Sequence, residues 1–142
     1  MNNIVCFLQN AWSPLYAGGT WPRESWLRAL HRSRSGQRLK IFIENCNHNF
    51  WFDNTTPIVG DTPNSIVKPD FQHIKNVIEK QKPDVILTFG KQAEKCLTNL
   101  FTPLIILPHP ACRVVTNALY MQAVELLNSK VENKIYRFHL EK

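Results

Sequence analysis

Four short runs of this chain are apolar almost throughout, and they constrain its fold more than any other feature. A parallel strand that is covered by helices on both faces is apolar at nearly every position, whereas a half-exposed strand alternates. The segments between the runs carry apolar residues at helical spacing. The runs are residues 4–8, 39–43, 85–89 and 104–107. The sequence therefore predicts an α/β fold of three layers, with a central four-stranded parallel sheet between helices.

Four helices are predicted around these strands, together with one long loop and one short tail element. Residues 47–69 lack a clear period, and a loop of this length in a compact domain is usually functional. The tail, residues 134–140, alternates and is expected to be an edge strand or an extended arm. The helices are expected from near Trp21 to residues 33–36, over 69–82, after Gly90, and over about 114–131.

Length and composition favour one intracellular domain that covers residues 1–142. The hydrophobic share is 44%, which is ordinary for a globular protein. No apolar run approaches the roughly 20 residues that span a bilayer, and the chain starts without the features of a signal peptide. We therefore expect a monomer in the cytoplasm or nucleus that is not secreted and has no membrane partner.

Cysteine spacing and charge narrow the choice of partner. The four cysteines are scattered without a C-x-x-C pair, so a zinc or iron–sulfur site is not expected, and the leading interpretation given below implies neither a metal nor an organic cofactor. Residues 23–40 carry six basic side chains and one acidic one, against a net charge of +6 for the whole chain. A basic patch beside aromatic residues suits nucleic acid, although a solvated helix face has the same pattern.

Three of the predicted strands end in polar side chains that suit a common pocket. The fourth strand runs into Pro108-His109-Pro110, the first into Gln9 and Asn10, and the second into Asn45. Ligands of open α/β sheets bind beyond the carboxyl ends of the strands. An asparagine amide offers the donor and acceptor groups that match the edge of a nucleobase, which would have to be flipped out of a duplex. The alternative is a set of ordinary turn and capping residues.

In their order along residues 4–131, these motifs resemble the uracil-DNA glycosylase superfamily. Residues 8–12 (LQNAW) stand where the family has a motif such as G-Q-D-P-Y, and residues 41–45 (IFIEN) match its L-L-L-N strand with one residue of slack. Residues 89–93 (FGKQA) take the place of a W-G-S-H-A-like turn, and residues 109–111 (HPA) that of H-P-S. The resemblance implies a uracil-DNA glycosylase-like fold.

The resemblance also implies a role for each residue of the pocket. Asn10 would orient the attacking water, and an asparagine here is similar to the mismatch-specific branch of the family. His109 would donate a hydrogen bond to the departing base as negative charge develops on its oxygen. Asn45 would bind the base edge, and Gln9 would add a backbone N–H. Trp12, in the place of a residue that often contacts the 5-position of the pyrimidine, would line the pocket.

Basic residues are expected to hold the DNA around the flipped nucleotide. Arg113 lies where the family inserts a side chain into the duplex. Lys91, at the start of the helix after Gly90, would contact a phosphate. The remaining candidates for flanking phosphates are Arg32, Arg34 and Arg38.

The resemblance therefore implies a monofunctional DNA glycosylase that excises uracil or a modified or mismatched pyrimidine by hydrolysis. Two alternatives stay open. Leu8 replaces the usual opening glycine of the first motif, which favours a catalytically inactive glycosylase-like domain that binds DNA or a protein partner. The third candidate is a different α/β enzyme, such as a nucleotide or nucleoside hydrolase.

Overall fold

A computed structural model describes residues 2–8, 34–56, 68–110 and 117–138. Within these ranges five strands pair in parallel, in the order β2-β1-β3-β4-β5, and confirm the predicted α/β class. The strands and helices follow one another as β1 (Asn3–Leu8), α1 (Arg34–Asn45), β2 (Asn49–Asn54), α2 (Phe71–Gln81), β3 (Val85–Phe89), α3 (Lys91–Leu97), β4 (Leu104–Leu107), α4 (Asn117–Leu127) and β5 (Ile135–Arg137).

Two hydrophobic clusters, one on each face of the sheet, give the described residues three layers. Helices α1 and α4 cover one face, where Phe42 and Tyr120 are fully buried. Helices α2 and α3 cover the other face, where Ile74 and Leu97 are fully buried. Because successive strand residues point to opposite faces and both faces are covered, strands β1, β3 and β4 are apolar at nearly every position.

The second predicted strand is wrong, because residues 39–43 lie inside helix α1. The predicted end of the first helix at residues 33–36 is also wrong, because residues 34–36 are the first residues of α1. The buried apolar residues of α1 and of the turn after it recur at helical spacing. They are Leu39, Phe42, Ile43 and Cys46. Ile41 lies beside this buried stripe and is only half-buried. It therefore adds an apolar residue to the run 39–43 that the helix does not fully bury. A short apolar run does not by itself distinguish a strand from a buried helix.

The second strand of the structure, β2, lies in the region predicted as a loop. Its sequence contains three successive aromatic residues, Phe50, Trp51 and Phe52, a residue type that favours strands. The tail forms β5, which pairs with β4 as an edge strand. The sheet therefore has five strands within the described ranges, not the four predicted.

The predicted helices over residues 69–82 and after Gly90 are confirmed by α2 and α3, and the last predicted helix is confirmed by α4 within the described residues, although it ends at Leu127 and not near residue 131. Asp70 caps α2, because its Oδ1 accepts a hydrogen bond from the His73 N–H at 3.1 Å. Lys82 ends the helix in the left-handed region, with φ 48°. The predicted helix that begins near Trp21 lies outside the described residues before Arg34.

Candidate functional site at the carboxyl edge of the sheet

The strand order of the described residues places a topological switch point between β1 and β3. The chain leaves β1 to form β2 on one side, then crosses back to form β3 on the other side. The order of strands therefore reverses between β1 and β3, and ligands of open α/β sheets bind beyond the strand ends at such a point. Gly90 directly follows β3, and His109 follows the neighbouring strand β4 by two residues.

His109 is half-buried at this edge and packs against the turn after β3. A Cβ placed on Gly90 would lie 3.3 Å from the His109 Cβ, so the absence of a side chain at Gly90 lets the histidine sit there. Burial lowers the pKa of His109 below its ordinary value. The imidazole is therefore neutral at pH 7 and offers one N–H donor and one acceptor nitrogen.

Side chains from two helices hold the backbone on both sides of His109. The Tyr120 hydroxyl, on α4, donates a hydrogen bond to the Pro108 carbonyl at 2.7 Å. The Arg38 guanidinium, on α1, donates through Nη1 to the Pro110 carbonyl. The turn that carries the imidazole is therefore tied to both helices on one face of the sheet.

A second polar cluster, centred on the buried Asp53, lies at the carboxyl end of β2. Asp53 is 6% exposed. Its Oδ1 accepts from the Asn54 N–H at 2.8 Å and lies 3.0 Å from His73 Nε2. Its Oδ2 accepts from the Trp51 indole N–H at 2.8 Å. Because a carboxylate can only accept, the His73 proton is on Nε2, and the pair ties β2 to α2.

Thr55 connects this cluster to the ends of β1 and α3. Its N–H donates to the Leu8 carbonyl at 2.9 Å, and its carbonyl accepts from the Asp70 N–H at 2.8 Å. Its hydroxyl accepts from the Gln92 amide at 2.9 Å. The carboxyl ends of β1 and β2 and the first turns of α2 and α3 therefore form one hydrogen-bonded frame.

Asn54 is the strand-end amide that sequence reasoning missed. It is the last residue of β2, it is buried, and its partner in register is Leu8, the last residue of β1. Its signal in the sequence was the run of aromatic residues just before it, which marks the true second strand. Asn54 therefore lies at the edge where Asn45 was expected.

The prediction that Asn45 ends a strand is wrong. Asn45 is the last residue of helix α1, and its carbonyl accepts from the Asn128 amide at 3.0 Å. Three residues later, His48 Nδ1 accepts from the Asn2 N–H at 3.1 Å, next to the start of β1. Asn45 therefore lies at the amino edge of the sheet and does not share a pocket with His109.

Of the other predicted site residues, Lys91 is exposed as the first residue of α3, beside Gly90 at the carboxyl edge. Arg34 is the first residue of α1. Arg38 is half-buried and bonded to Pro110, so its contact with phosphate stays a prediction. The predicted residues outside the described ranges are Gln9, Asn10, Trp12, Arg32 and Arg113.

The described residues define an α/β protein with a polar site at the carboxyl edge of a parallel sheet. Among them, no group of three or more His, Cys, Asp or Glu side chains could hold a metal ion. The helices in the described ranges are not long and apolar enough to cross a membrane. No protein-family model, curated protein or solved structure matches the chain.

Replacing Gly90 by alanine is expected to lower the free energy of unfolding by about 2 kcal/mol, because its φ of +97° is strained for any residue with a side chain. The new methyl group would also press on the His109 Cβ. Urea denaturation measures the loss. Lys91→Ala is the matched control, since it places alanine one residue later at an exposed helical position. Equal stability of both variants would contradict the role of Gly90 in this turn.

The lowered pKa of His109 predicts a specific pH dependence of stability. Between the folded pKa and the ordinary value of about 6.5, the unfolded chain binds a proton at His109 that the folded chain does not. The stability contributed by this residue is therefore present above that window and decreases as pH falls through it. Urea denaturation across this range should show wild type losing stability relative to His109→Gln. The free energy of unfolding of wild type minus that of His109→Gln should therefore decrease as pH falls. A value that stays constant or increases would contradict the burial of the imidazole.

Proposed function

We propose that this protein is a monofunctional DNA glycosylase that flips a uracil-like, modified or mismatched pyrimidine out of DNA and hydrolyses its N-glycosidic bond. One observation carries the proposal. A neutral imidazole, framed by two prolines, lies at the carboxyl end of β4 against the glycine turn that follows β3. This is the edge where open α/β sheets bind ligands, and the resemblance in the sequence assigns this histidine to the departing base.

In this mechanism His109 stabilises the leaving group. When the bond between the sugar and the base breaks, the electron pair leaves with the pyrimidine, and negative charge develops on a carbonyl oxygen attached to its ring. A donor that is already oriented stabilises this charge without reorganisation during the reaction. Neutral imidazole has one N–H to donate, so the lowered pKa of His109 is compatible with this role.

Asn54 replaces Asn45 as the proposed residue that binds the base edge. The resemblance assigns this role to the asparagine that ends the second strand, and Asn54 ends β2. The peptide N–H of Asn54 donates to Asp53, which fixes the backbone from which its amide projects. The proposed roles of Asn10, Gln9 and Trp12 follow from the resemblance alone.

Charge at the same edge supports a nucleic-acid substrate. Lys91 is exposed beside Gly90, and the basic segment of residues 23–40 runs into helix α1, whose Arg38 reaches the turn after His109. Contacts of this kind orient nucleic acid without reading its sequence. Lys91, Arg32, Arg34, Arg38 and Arg113 are accordingly proposed as phosphate contacts.

The direct test is release of a base from oligonucleotides. Single- and double-stranded oligonucleotides that contain uracil, mismatched thymine or a 5-modified pyrimidine are incubated with the protein, and cleavage at abasic sites is followed on gels. We expect abasic sites on at least one substrate. Absence of abasic sites on every substrate, from protein that binds the same oligonucleotides, would overturn the proposal.

A catalytically inactive binding domain is the second candidate. Leu8, where the resembled motif has glycine, pairs within the sheet opposite Asn54, and a side chain at this position would narrow the approach of a nucleotide compared with glycine. Base release at background level from both wild type and His109→Ala, with DNA binding intact, would favour this candidate. Activity on free nucleosides without DNA binding would instead favour a nucleoside hydrolase.

A further inference from the structure

We propose that Tyr120 and Arg38 are positioning residues, which orient the His109 ring by holding the backbone carbonyls of the prolines before and after it. The catalytic part of this inference rests on the proposed function. Its structural part, the orientation of the ring in the free protein, does not depend on any reaction. Neither residue needs to contact the substrate.

Tyr120 is held firmly enough to act as a fixed donor. Its side chain is fully buried. The ring packs against Phe42 at 5.4 Å and against Phe89 at 5.7 Å between centroids, with Phe42 and Phe89 themselves 5.7 Å apart. Because burial among three mutually packed rings restricts rotation about χ1, the hydroxyl is held toward the Pro108 carbonyl, 2.7 Å away.

The hydrogen bonds to the two carbonyl oxygens restrict the ψ rotation that proline leaves open in this turn. Proline restricts φ at residues 108 and 110, but the planes of the peptide groups that follow them can still rotate through ψ. A carbonyl oxygen held by a fixed donor prevents that rotation. Tyr120 therefore fixes the peptide plane before His109, and Arg38 fixes the one after Pro110.

Arg38 holds the turn from a different element. It belongs to α1, which packs beside α4 on the same face of the sheet. A hydrogen bond from a guanidinium is charge-assisted and roughly twice as strong as a neutral one. The same side chain was predicted from sequence to bind phosphate, so the two roles make different predictions for a variant.

The test compares Tyr120→Phe with Tyr136→Phe. Each substitution removes one hydroxyl that bonds the backbone, since the Tyr136 hydroxyl accepts from the Glu132 N–H at 2.9 Å near β5. In Tyr120→Phe, single-turnover base release should fall roughly 10- to 100-fold, because small misplacements of a catalytic group have effects of this size. Oligonucleotide Kd should change by less than about twofold, and Tyr136→Phe should match wild type in both measurements.

A second readout does not need catalysis. Ring ¹H–¹⁵N correlation spectra of the free protein report the tautomer and surroundings of His109. We expect the His109 signals to move in Tyr120→Phe and to stay in place in Tyr136→Phe. If wild type releases no base, the proposed function fails, and this spectrum alone decides the structural inference. Unmoved His109 signals in Tyr120→Phe would overturn it in either case.

Arg38→Gln provides an independent variant if Tyr120→Phe does not fold. Positioning predicts slower base release and displaced His109 signals, whether or not the same side chain also contacts a phosphate and its loss weakens Kd. A pure phosphate contact predicts a weaker Kd with unmoved His109 signals, and that outcome would overturn the positioning role of Arg38. A loss of base release in Tyr120→Phe that is matched by an equal loss of DNA binding would likewise overturn the role of Tyr120.

Discussion

Replacing His109 by alanine is expected to slow base release by about 100-fold or more, because losing one oriented donor to a developing oxyanion typically raises the barrier by ~3 kcal/mol. The side chain is half-buried beside a glycine turn and is neutral at pH 7, so alanine removes the donor without leaving a buried charge unpaired. Single-turnover kinetics on the preferred oligonucleotide measure the effect, and DNA binding should persist.

His48→Ala is the matched control for this prediction. His48 bridges the Asn2 N–H and the Leu127 carbonyl at the amino edge of the sheet, at 3.1 and 3.0 Å. Its loss should lower stability and leave base release per folded molecule unchanged. His109→Gln retains an N–H donor and should keep part of the activity. A His109→Ala variant that releases base at the wild-type rate would remove the central group from the proposed mechanism.

Replacing Asp53 by alanine is expected to lower the free energy of unfolding by about 3 kcal/mol, the range for removing one partner of a buried polar or ionic cluster. Three donors would lose their acceptor together: the Asn54 N–H, the Trp51 indole and His73 Nε2. The link between β2 and α2 at the carboxyl edge would be lost with them. Urea denaturation gives the value.

Asp84→Ala is the control for Asp53→Ala. The Asp84 carboxylate accepts one hydrogen bond, from the Asn3 N–H at 2.8 Å, and it is exposed. We expect its loss to cost about 1 kcal/mol, the typical net value of one hydrogen bond. If the two variants were equally stable, Asp53 would not be the centre of the network that the structure shows.

The strands that could be predicted from sequence are those that are buried on both faces. β3 and β4 are covered on both faces along their whole length, so burial alone makes them apolar at nearly every position, and both were predicted at their observed bounds. Helix α1 was missed because Ile41, at the margin of its buried stripe, made residues 39–43 apolar at every position except Lys40. β2 was missed because its polar ends, Asn49 and Asn54, made it resemble a loop.

The error in α1 also explains the error at the site. In an α/β domain each helix is antiparallel to the strands that it packs on. A residue that ends a helix therefore lies at the opposite edge of the sheet from a residue that ends a strand. Asn45 was expected to face His109, and the change from strand to helix moves it to the other edge. Asn54 could have been proposed only after β2 had been recognised.

Local signals were sufficient for His109 and insufficient for the groups that support it. The histidine follows a buried strand by two residues and lies between two prolines, so its place is encoded within six residues of sequence. Tyr120 is twelve residues away from the Pro108 carbonyl that it binds, and His73 is twenty away from Asp53. Such pairs arise from the packing of whole helices on the sheet, which no spacing pattern describes.

The bond between Arg38 and Pro110 has a consequence for how this protein can diverge. Helix α1 continues the most basic part of the chain, and the same helix anchors the turn that bears the imidazole. In the enzyme that we propose, substrate capture and bond cleavage would consequently not be independent modules. A lineage of such an enzyme that remodels this helix for a different polyanion would have to re-establish the alignment of its histidine at the same time.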